Sequence, residues 1–224
     1  MNFFPFSDLP ENVRLPGICL GIVTNNQDPD KLGRVKVKFP RISLEHESEW
    51  ARVASLMAGK DRGLFFLPEV DDEVLVIFEN GDITRPYVIG ALWNGKDTPP
   101  CTNEDGKNDI RLIKSRSGHI VRLTDKEGEE KIEIIDKTAK NKITIDCKEN
   151  IIAIECEKDI NITAKGAIAV TAEKDITITT KAKFAVDAQE IALVSKAKVG
   201  IQGSQIEVKA SGNTDIKGAA INLN

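Results

Sequence analysis

An eight-residue repeat fills the second half of this 224-residue chain, from Ile143 onward. Pairs of apolar residues two positions apart recur at a step of eight, occasionally seven or nine. A spacing of two is the period of a strand with one buried face, and the dominant β-branched residues favour a pleated surface over a helix. We expect these pairs to form the core of an assembly: Ile143, Ile145, Ile152, Ile154, Ile160, Ile162, Ile168, Val170, Ile176, Ile178, Phe184, Val186, Ile191, Leu193, Val199, Ile201, Ile206 and Val208.

A third position of the same parity follows each pair and holds only small residues. Such a restriction indicates a crowded corner, where the strand bends and neighbouring backbones approach closely. The predicted corner residues are Cys147, Cys156, Ala164, Ala172, Thr180, Ala188, Ser195, Gly203 and Ala210. Charged connections such as Glu157-Lys158-Asp159 separate the units and predict solvated turns.

One short strand per unit with one apolar stripe cannot enclose a core unless something covers the stripe. Three identical chains, each supplying one face per layer, would cover it and pair the exposed strand edges. The repeat therefore predicts an all-β obligate homotrimer with a triple-stranded β-helix, a shaft of roughly 50 to 60 Å at one strand spacing per unit. An ordinary β-sandwich is the alternative, but it seldom keeps one register for so many units.

The first half has a different composition, since Phe184 is the sole aromatic residue after residue 100. Five apolar segments predict the strands of a small barrel: Ile18 to Val23, Val35 to Phe39, Trp50 to Leu56, Val74 to Phe78 and Tyr87 to Trp93. Asn80-Gly81 between the fourth and fifth segments is typical of a tight chain reversal. Residues 1–110 carry 12 Lys plus Arg against 18 Asp plus Glu, a net charge of -6 that argues against a nucleic-acid groove in the barrel.

Other classes of protein are disfavoured by what the sequence lacks. The first residues show no basic segment followed by an apolar run, and no stretch of about 18 apolar residues occurs, so we expect synthesis in the cytoplasm without a signal peptide. Cys19, Cys101, Cys147 and Cys156 form no C-x-x-C pair, which predicts reduced thiols and no metal site or cofactor.

Two segments of the first half carry a family resemblance. GIVTNNQDPDKLGRVKVKFP and WARVASLMAGKDRGLFFLPEVDDEVLVIFENGDITRPYVIGALWNGKDTPP resemble the OB-fold domain of gpV-like baseplate spikes of contractile phage tails, shared with the VgrG spikes of type VI secretion. The likeness continues through SRSGHIVRLTD into the repeats. It implies a structural central spike, assembled into the baseplate of a phage or phage-tail-like particle, that pierces a target envelope when the sheath contracts.

The same resemblance implies two partners. Longer relatives carry a hub module before the barrel and some carry a lysozyme-like insertion, so a separate trimeric hub protein is expected at the OB-fold end. Some members end in a metal-binding His-x-His, which this chain lacks. We therefore expect a PAAR-type tip protein to cover the terminal residues Ile221, Asn222, Leu223 and Asn224.

Several polar groups could suggest chemistry, but each has a simpler interpretation. His46 among Glu45, Glu47 and Glu49 is expected on a solvated loop. Asp71-Asp72-Glu73 could act as paired acids or bind calcium, yet adjacent residues point apart rather than converge. Asp28 and Asp30 flank Pro29 as turn residues do, His119 suits a hairpin, and Cys147 and Cys156 suit small-residue packing.

These inferences give five segments and one main function. We predict an N-terminal extension at 1–14, an OB-fold domain at 15–97, a linker at 98–110, a transition hairpin at 111–142 and the β-helical shaft at 143–224. A non-enzymatic spike is favoured. The alternative is a trimeric phage fibre or a polysaccharide depolymerase with a β-helical shaft, which would need a carboxylate-lined groove.

Overall fold

The computed structural model describes residues 17–222, and of residues 43–46 within one strand it describes only the backbone. The chain divides into two compact units, Met1–Asn161 and Ile162–Asn224. The described residues are all-β, with thirteen strands that lie in the first unit. They are β1 Ile18–Asn25, β2 Lys36–Phe39, β3 Ser43–Glu47, β4 Arg52–Val53, β5 Ala58–Gly59, β6 Arg62–Gly63, β7 Glu73–Phe78, β8 Pro86–Leu92, β9 Ile110–Lys114, β10 Ile120–Thr124, β11 Lys131–Ile135, β12 Lys142–Asp146 and β13 Ile151–Glu155.

The N-terminal barrel is built from a six-stranded sheet in the order β3-β2-β1-β7-β8-β4. All pairings in this sheet are antiparallel except β4 with β8, where Arg52 and Val53 lie opposite Tyr87 and Val88 in parallel. An isolated antiparallel bridge links Val35 and Ala51, which directly precede β2 and β4. This bridge brings the two sides of the sheet together and closes it around a core.

The core of the barrel follows from strand alternation. In β7 the alternate residues Val74, Val76 and Phe78 are buried, as a period of two requires. They pack with Val23, Val35, Val37, Phe39, Ala51 and Val88 from the other strands. The rings of Phe39 and Phe78 lie 5.5 Å apart at an interplanar angle of 54°, a tilted arrangement favourable for aromatic pairs.

The barrel strands agree with the apolar segments of the sequence in four of five cases, and two features differ. The predicted strand at Trp50 to Leu56 shortens to β4, Arg52–Val53. His46 lies in strand β3 and not on a solvated loop, because β3 is an edge strand whose backbone pairs with β2. Charged residues on an edge strand are a common protection against unwanted pairing, so their pattern does not distinguish this strand from a loop.

A five-stranded antiparallel meander, β9 to β13 in sequence order, follows the barrel. Each strand has five residues, and the connections contain four to six residues. The predicted transition hairpin at 111–142 is therefore too short, since the first two repeat units are β12 and β13 of this sheet. Cys147–Asn150 forms a turn that lets β13 fold back on β12, with Asn150 at a φ of 53°.

The second unit has an extended chain with regularly spaced bends. In residues 156–222 the structure shows bends at 157–158, 165–166, 173–174, 181–182, 189, 196–197, 204–205, 211–212 and 219, and between them no hydrogen-bonded strand. The bends recur every seven or eight residues, the same period as the apolar pairs. Each extended segment therefore lacks a strand partner within the described chain.

Candidate functional site: the apolar assembly surface

The predicted core residues lie exposed on the single chain. Ile143, Ile145, Ile152 and Ile154 belong to β12 and β13, and the remaining pairs lie on the extended segments that follow. Their side chains are between 38% and 76% exposed. In most units the first residue of the pair is the less exposed, as with Ile160 and Ile162, so the local geometry repeats along with the sequence.

The small residues stand at the bends. Cys156, Ala164, Ala172, Thr180, Ala188, Ser195, Gly203 and Ala210 each directly precede a bend, and Cys147 begins the turn between β12 and β13. Side-chain hydroxyl groups stabilise two of the bends. The Ala182 N–H donates to Thr180 Oγ1 at 3.2 Å, and the Lys198 N–H donates to Ser195 Oγ at 3.1 Å. Such side-chain bonds to the local backbone are what Ser and Thr supply at turns.

At two bends the position before the bend is crowded enough to favour glycine. A Cβ added at Gly203 would lie 3.1 Å from the Gln205 carbonyl oxygen, and one added at Gly218 would lie 3.2 Å from the Ala220 carbonyl oxygen. Gly218 precedes the bend at 219 and was not among the predicted corners. It belongs to a further unit with Thr214 and Ile216, which the sequence search missed because Thr214 replaces the first apolar residue.

The meander extends the predicted apolar surface by five aliphatic residues that sequence reasoning did not assign. Strand register places Ile113, Val121, Ile134, Ile143 and Ile154 in one cross-strand row. A second row on the same face contains Leu123, Ile132, Ile145 and Ile152. We call these nine aliphatic residues the meander face. The alternation of apolar and polar residues in 120–124 and 131–135 is visible in the sequence, but the sequence does not show which strands pair with these segments.

The opposite face of the meander combines ion pairs with aliphatic residues, among them Ile120 and Ile135. Arg122 binds Glu133 through Nε and Nη2 at 2.8 and 2.6 Å, and the Glu133 side chain is only 13% exposed. Lys131 pairs with Asp146 at 3.6 Å, and Lys142 pairs with Glu155 at 3.1 Å. The nine residues of the meander face remain between 38% and 71% exposed, so nothing in the described part of the chain covers them fully.

The terminal residues are only partly described. Ile221 is exposed, as is Asn222, whereas Leu223 and Asn224 lie outside the described residues. The predicted contact with a tip protein remains a prediction.

The candidate acidic clusters are each engaged within the chain. Asp28 accepts bonds from Nε and Nη2 of Arg34 at 2.9 and 2.7 Å, and from the N–H groups of Asp30, Leu32 and Arg34. Arg34 also binds Asp30 at 2.6 Å. These bonds hold the loop 28–34 closed around the Arg34 guanidinium.

The pKa of Asp28 is lowered well below its ordinary value. The chief cause is the Arg34 hydrogen bond, supported by the three backbone donors and opposed by burial of the carboxylate. Asp136 gives a second case: burial opposes its charged form, but donors from Asn141 and Thr138 outweigh it and lower the pKa to about 2. Both carboxylates stabilise turns.

The carboxylates of Asp71, Asp72 and Glu73 do not converge. Asp72 accepts the Glu69 N–H at 2.8 Å, and Glu73 accepts Asn94 Nδ2 at 3.0 Å. Asp71 sits at a φ of 76° in the turn before β7. No cluster of three or more His, Cys, Asp or Glu side chains in the described residues is arranged to hold a metal ion.

His119 and the cysteines have structural positions. His119 Nδ1 accepts the Lys137 N–H at 3.2 Å, and the His119 N–H donates to Ser115 Oγ in the β9–β10 turn. Cys19, Cys101, Cys147 and Cys156 are free thiols, and burial raises the pKa of Cys19. Within residues 17–222, the structure contains no helix with the length and apolar character that a membrane crossing requires.

Comparison with known proteins identifies the barrel. Residues 19–93 match the family described as the type VI secretion system/phage-baseplate injector OB domain. The type VI secretion system spike protein VgrG3 of Vibrio cholerae is 40% identical over 82 residues, which are 35% of this chain and 8% of that protein. The spike protein VgrG1a of Pseudomonas aeruginosa is 33% identical over 116 residues, 47% of this chain and 18% of that protein.

A relative named as a toxin matches over the same number of residues. The actin cross-linking toxin VgrG1 of Vibrio cholerae is 39% identical over 82 residues, again 35% of this chain and 8% of that protein. This chain therefore spans less than a fifth of the length of each of these relatives.

Proposed function

We propose that three copies of this chain form the central spike of a contractile injection machine, because residues 19–93 match the type VI secretion system/phage-baseplate injector OB domain and the spike relatives VgrG3 and VgrG1a are 33 to 40% identical over part of their length. In this proposal the spike mounts on a trimeric hub protein and pierces the target envelope when the sheath contracts. The observation that carries it is the row of apolar pairs that recurs with the bends. The extended segments that bear these pairs have no strand partner within the described chain.

Backbone chemistry supports the trimer. An extended segment with unpaired N–H and C=O groups and one aliphatic stripe is stable only when other strands complete its hydrogen bonds and cover the stripe. Three copies of the second unit, wound as a triple-stranded β-helix, would satisfy both needs in every layer. The small residues before the bends would allow the chains to approach at the corners.

The meander face supports the same assembly. Nine aliphatic side chains lie in register on an exposed face. Complete burial of one aliphatic side chain of this size stabilises an assembly by about 2 kcal/mol. We therefore propose that the meander face contributes to the trimer core together with the pairs of the second unit.

The proposed protein is mechanical and has no catalytic role. Support comes from the acidic residues, since Asp28, Asp72 and Asp136 are bonded within local turns and Glu73 accepts a bond from Asn94. The partners are a trimeric hub protein at the OB end and a PAAR-type protein at the other end. The site of action is the assembled baseplate of a phage or phage-tail-like particle.

The test is the mass of the purified full chain. Light scattering after size-exclusion chromatography is expected to give three times 24.6 kDa, about 74 kDa. Quantitative mass spectrometry of native particles should then find this chain equimolar with the hub protein. A stable 24.6-kDa species at micromolar concentration would contradict the proposal.

A further inference from the structure

A cleft on the OB domain carries exposed apolar side chains unrelated to the barrel core. It is lined by residues 31–33, 53–59 and 61–67 and has a volume of about 780 Å³. Leu56 is 93% exposed and Phe65 is 80% exposed, and Leu32, Met57, Leu64 and Phe66 are also exposed. An apolar patch of this size on a water-soluble domain commonly marks a contact with another protein. We call it the OB cleft.

The backbone of the cleft is fixed, so the exposed side chains are held outward. Ser55 Oγ lies 3.1 Å from the Met57 carbonyl oxygen and 2.7 Å from that of Leu64, across the short β5–β6 hairpin. At Gly63 an added Cβ would lie 2.6 Å from the Met57 oxygen, so the hairpin closes only with glycine there. A preformed surface loses little conformational entropy when a partner binds.

The charge at the rim contrasts with that of the domain. Lys31 and Arg62 line the cleft with Asp61 as its one acidic lining residue, whereas residues 1–110 together have a net charge of -6. The rim therefore attracts an acidic surface. The body of another OB domain of this chain is such a surface.

The position of the cleft connects it to the proposed trimer. The chain leaves the cleft at Leu67, which packs against the barrel core, and Asn26 holds the next residue through a 3.1 Å bond to the Pro68 carbonyl. Glu69 then binds Arg116 at 2.9 Å, in the turn between β9 and β10. The cleft is thus tied directly to the end of the sheet that bears the meander face.

We propose that the OB cleft holds part of the OB domain of a second copy, so that the copies bind head to tail around the trimer axis. This inference rests on the trimer proposed above. In a threefold ring each chain presents one patch to a different patch of its neighbour, so a basic-rimmed apolar cleft can meet an acidic surface without being self-complementary.

Hydroxyl-radical footprinting of the full-length protein tests this contact, because it reports the solvent access of individual side chains. Leu56, Met57, Phe65 and Phe66 are expected to react about tenfold more slowly than exposed Trp93, normalised for intrinsic reactivity, since interface centres are largely desolvated. The charge-reversing variant Arg62→Glu should restore their reactivity. Arg85→Glu, an exposed arginine of the same domain outside the cleft, should leave the protection unchanged.

The outcomes separate the two proposals. Protection in a 74-kDa particle, lost in Arg62→Glu and in Leu56→Ser while the mass stays unchanged, supports the contact between copies. Full reactivity of the cleft in a 74-kDa particle overturns it and leaves the spike proposal intact. Protection that arises only after purified hub protein is added also overturns it, because the hub would then occupy the cleft. A monomer would contradict the spike proposal itself.

Discussion

At the scale of single residues, Asp28 shows how one carboxylate orders a loop. Its side chain is 3% exposed and accepts five hydrogen bonds, two of them from the Arg34 guanidinium. Arg34 in turn lies 5.8 Å from the Trp50 ring centroid, a cation–π contact. The sequence indicated a turn at Asp28-Pro29-Asp30, but Arg34 is six residues away and its role depends on how the loop closes.

We expect Asp28→Asn to destabilise the OB domain at neutral pH and to alter its acid sensitivity. The pKa of Asp28 lies below its ordinary value, so its stabilising effect is complete above about pH 4 and is lost as the pH falls toward the lowered value. The variant lacks this effect at every pH. Thermal melts from pH 7 to pH 2 should show that the difference in melting temperature between the wild type and the variant becomes smaller in acid. A difference that stays constant with pH would contradict the mechanism.

At the scale of elements, the meander differs from the predicted hairpin because of its connections. The segments between its strands contain four to six residues, long enough for antiparallel reversal, whereas the later repeats leave about three residues between strand-length segments. Strand alternation was readable in both regions. Whether neighbouring segments pair within a chain or between chains is not encoded by alternation.

Substitution of neighbouring residues on opposite faces of β10 tests the meander face. Leu123→Glu places a carboxylate on the aliphatic face and should prevent trimer formation or lower the melting temperature sharply, since it removes roughly 2 kcal/mol of burial per chain and adds an unpaired charge. Thr124→Glu points to the opposite face, where it lies beside Lys131, and should remain trimeric. Equal behaviour of both variants by light scattering would show that this face is not in the core.

The bends can be tested at two glycines. Gly203→Ala should destabilise the shaft by roughly 1 kcal/mol per chain, because its Cβ would press on the Gln205 carbonyl at 3.1 Å. Gly166→Ala is the matched control, since it also lies at a bend and its Cβ would have no neighbour within 4 Å in the chain. Denaturation midpoints in guanidinium chloride measure the difference, and a Gly203→Ala midpoint equal to that of the control would contradict the crowding argument.

The short elements of the barrel were the least predictable from sequence. Strands β5 and β6 have two residues each and are defined by Ser55 and Gly63 rather than by any apolar pattern. The OB cleft was missed for a related reason: Leu56, Phe65 and Phe66 look like core residues until the fold leaves them outside. Periodicity identifies a stripe, whereas only the fold shows which apolar residues remain uncovered.

At the scale of the whole molecule, the two units have different sources of stability. The barrel has its own buried core, whereas the extended segments of the second unit have no strand partner within the described residues and would need other copies to pair with. Interwound chains separate only when many layers break together, so resistance to unfolding should be kinetic.

The assembled protein is therefore expected to migrate at about 74 kDa in detergent without boiling and at 24.6 kDa after boiling. Its apparent melting temperature should rise with scan rate, as it does for irreversible unfolding. A reversible, scan-rate-independent transition with full dissociation in cold detergent would exclude an interwound shaft.

The unpaired extended segments of residues 156–222 have one more consequence. If their hydrogen bonds are completed only by other copies, the amount of β-structure in this protein is not a property of the chain alone. Newly made chains would remain partly unstructured until three of them meet, and the encounter rate would rise steeply with local abundance. Neighbouring ribosomes on one messenger RNA would provide that abundance, so the shaft would form fastest where several copies are being translated together.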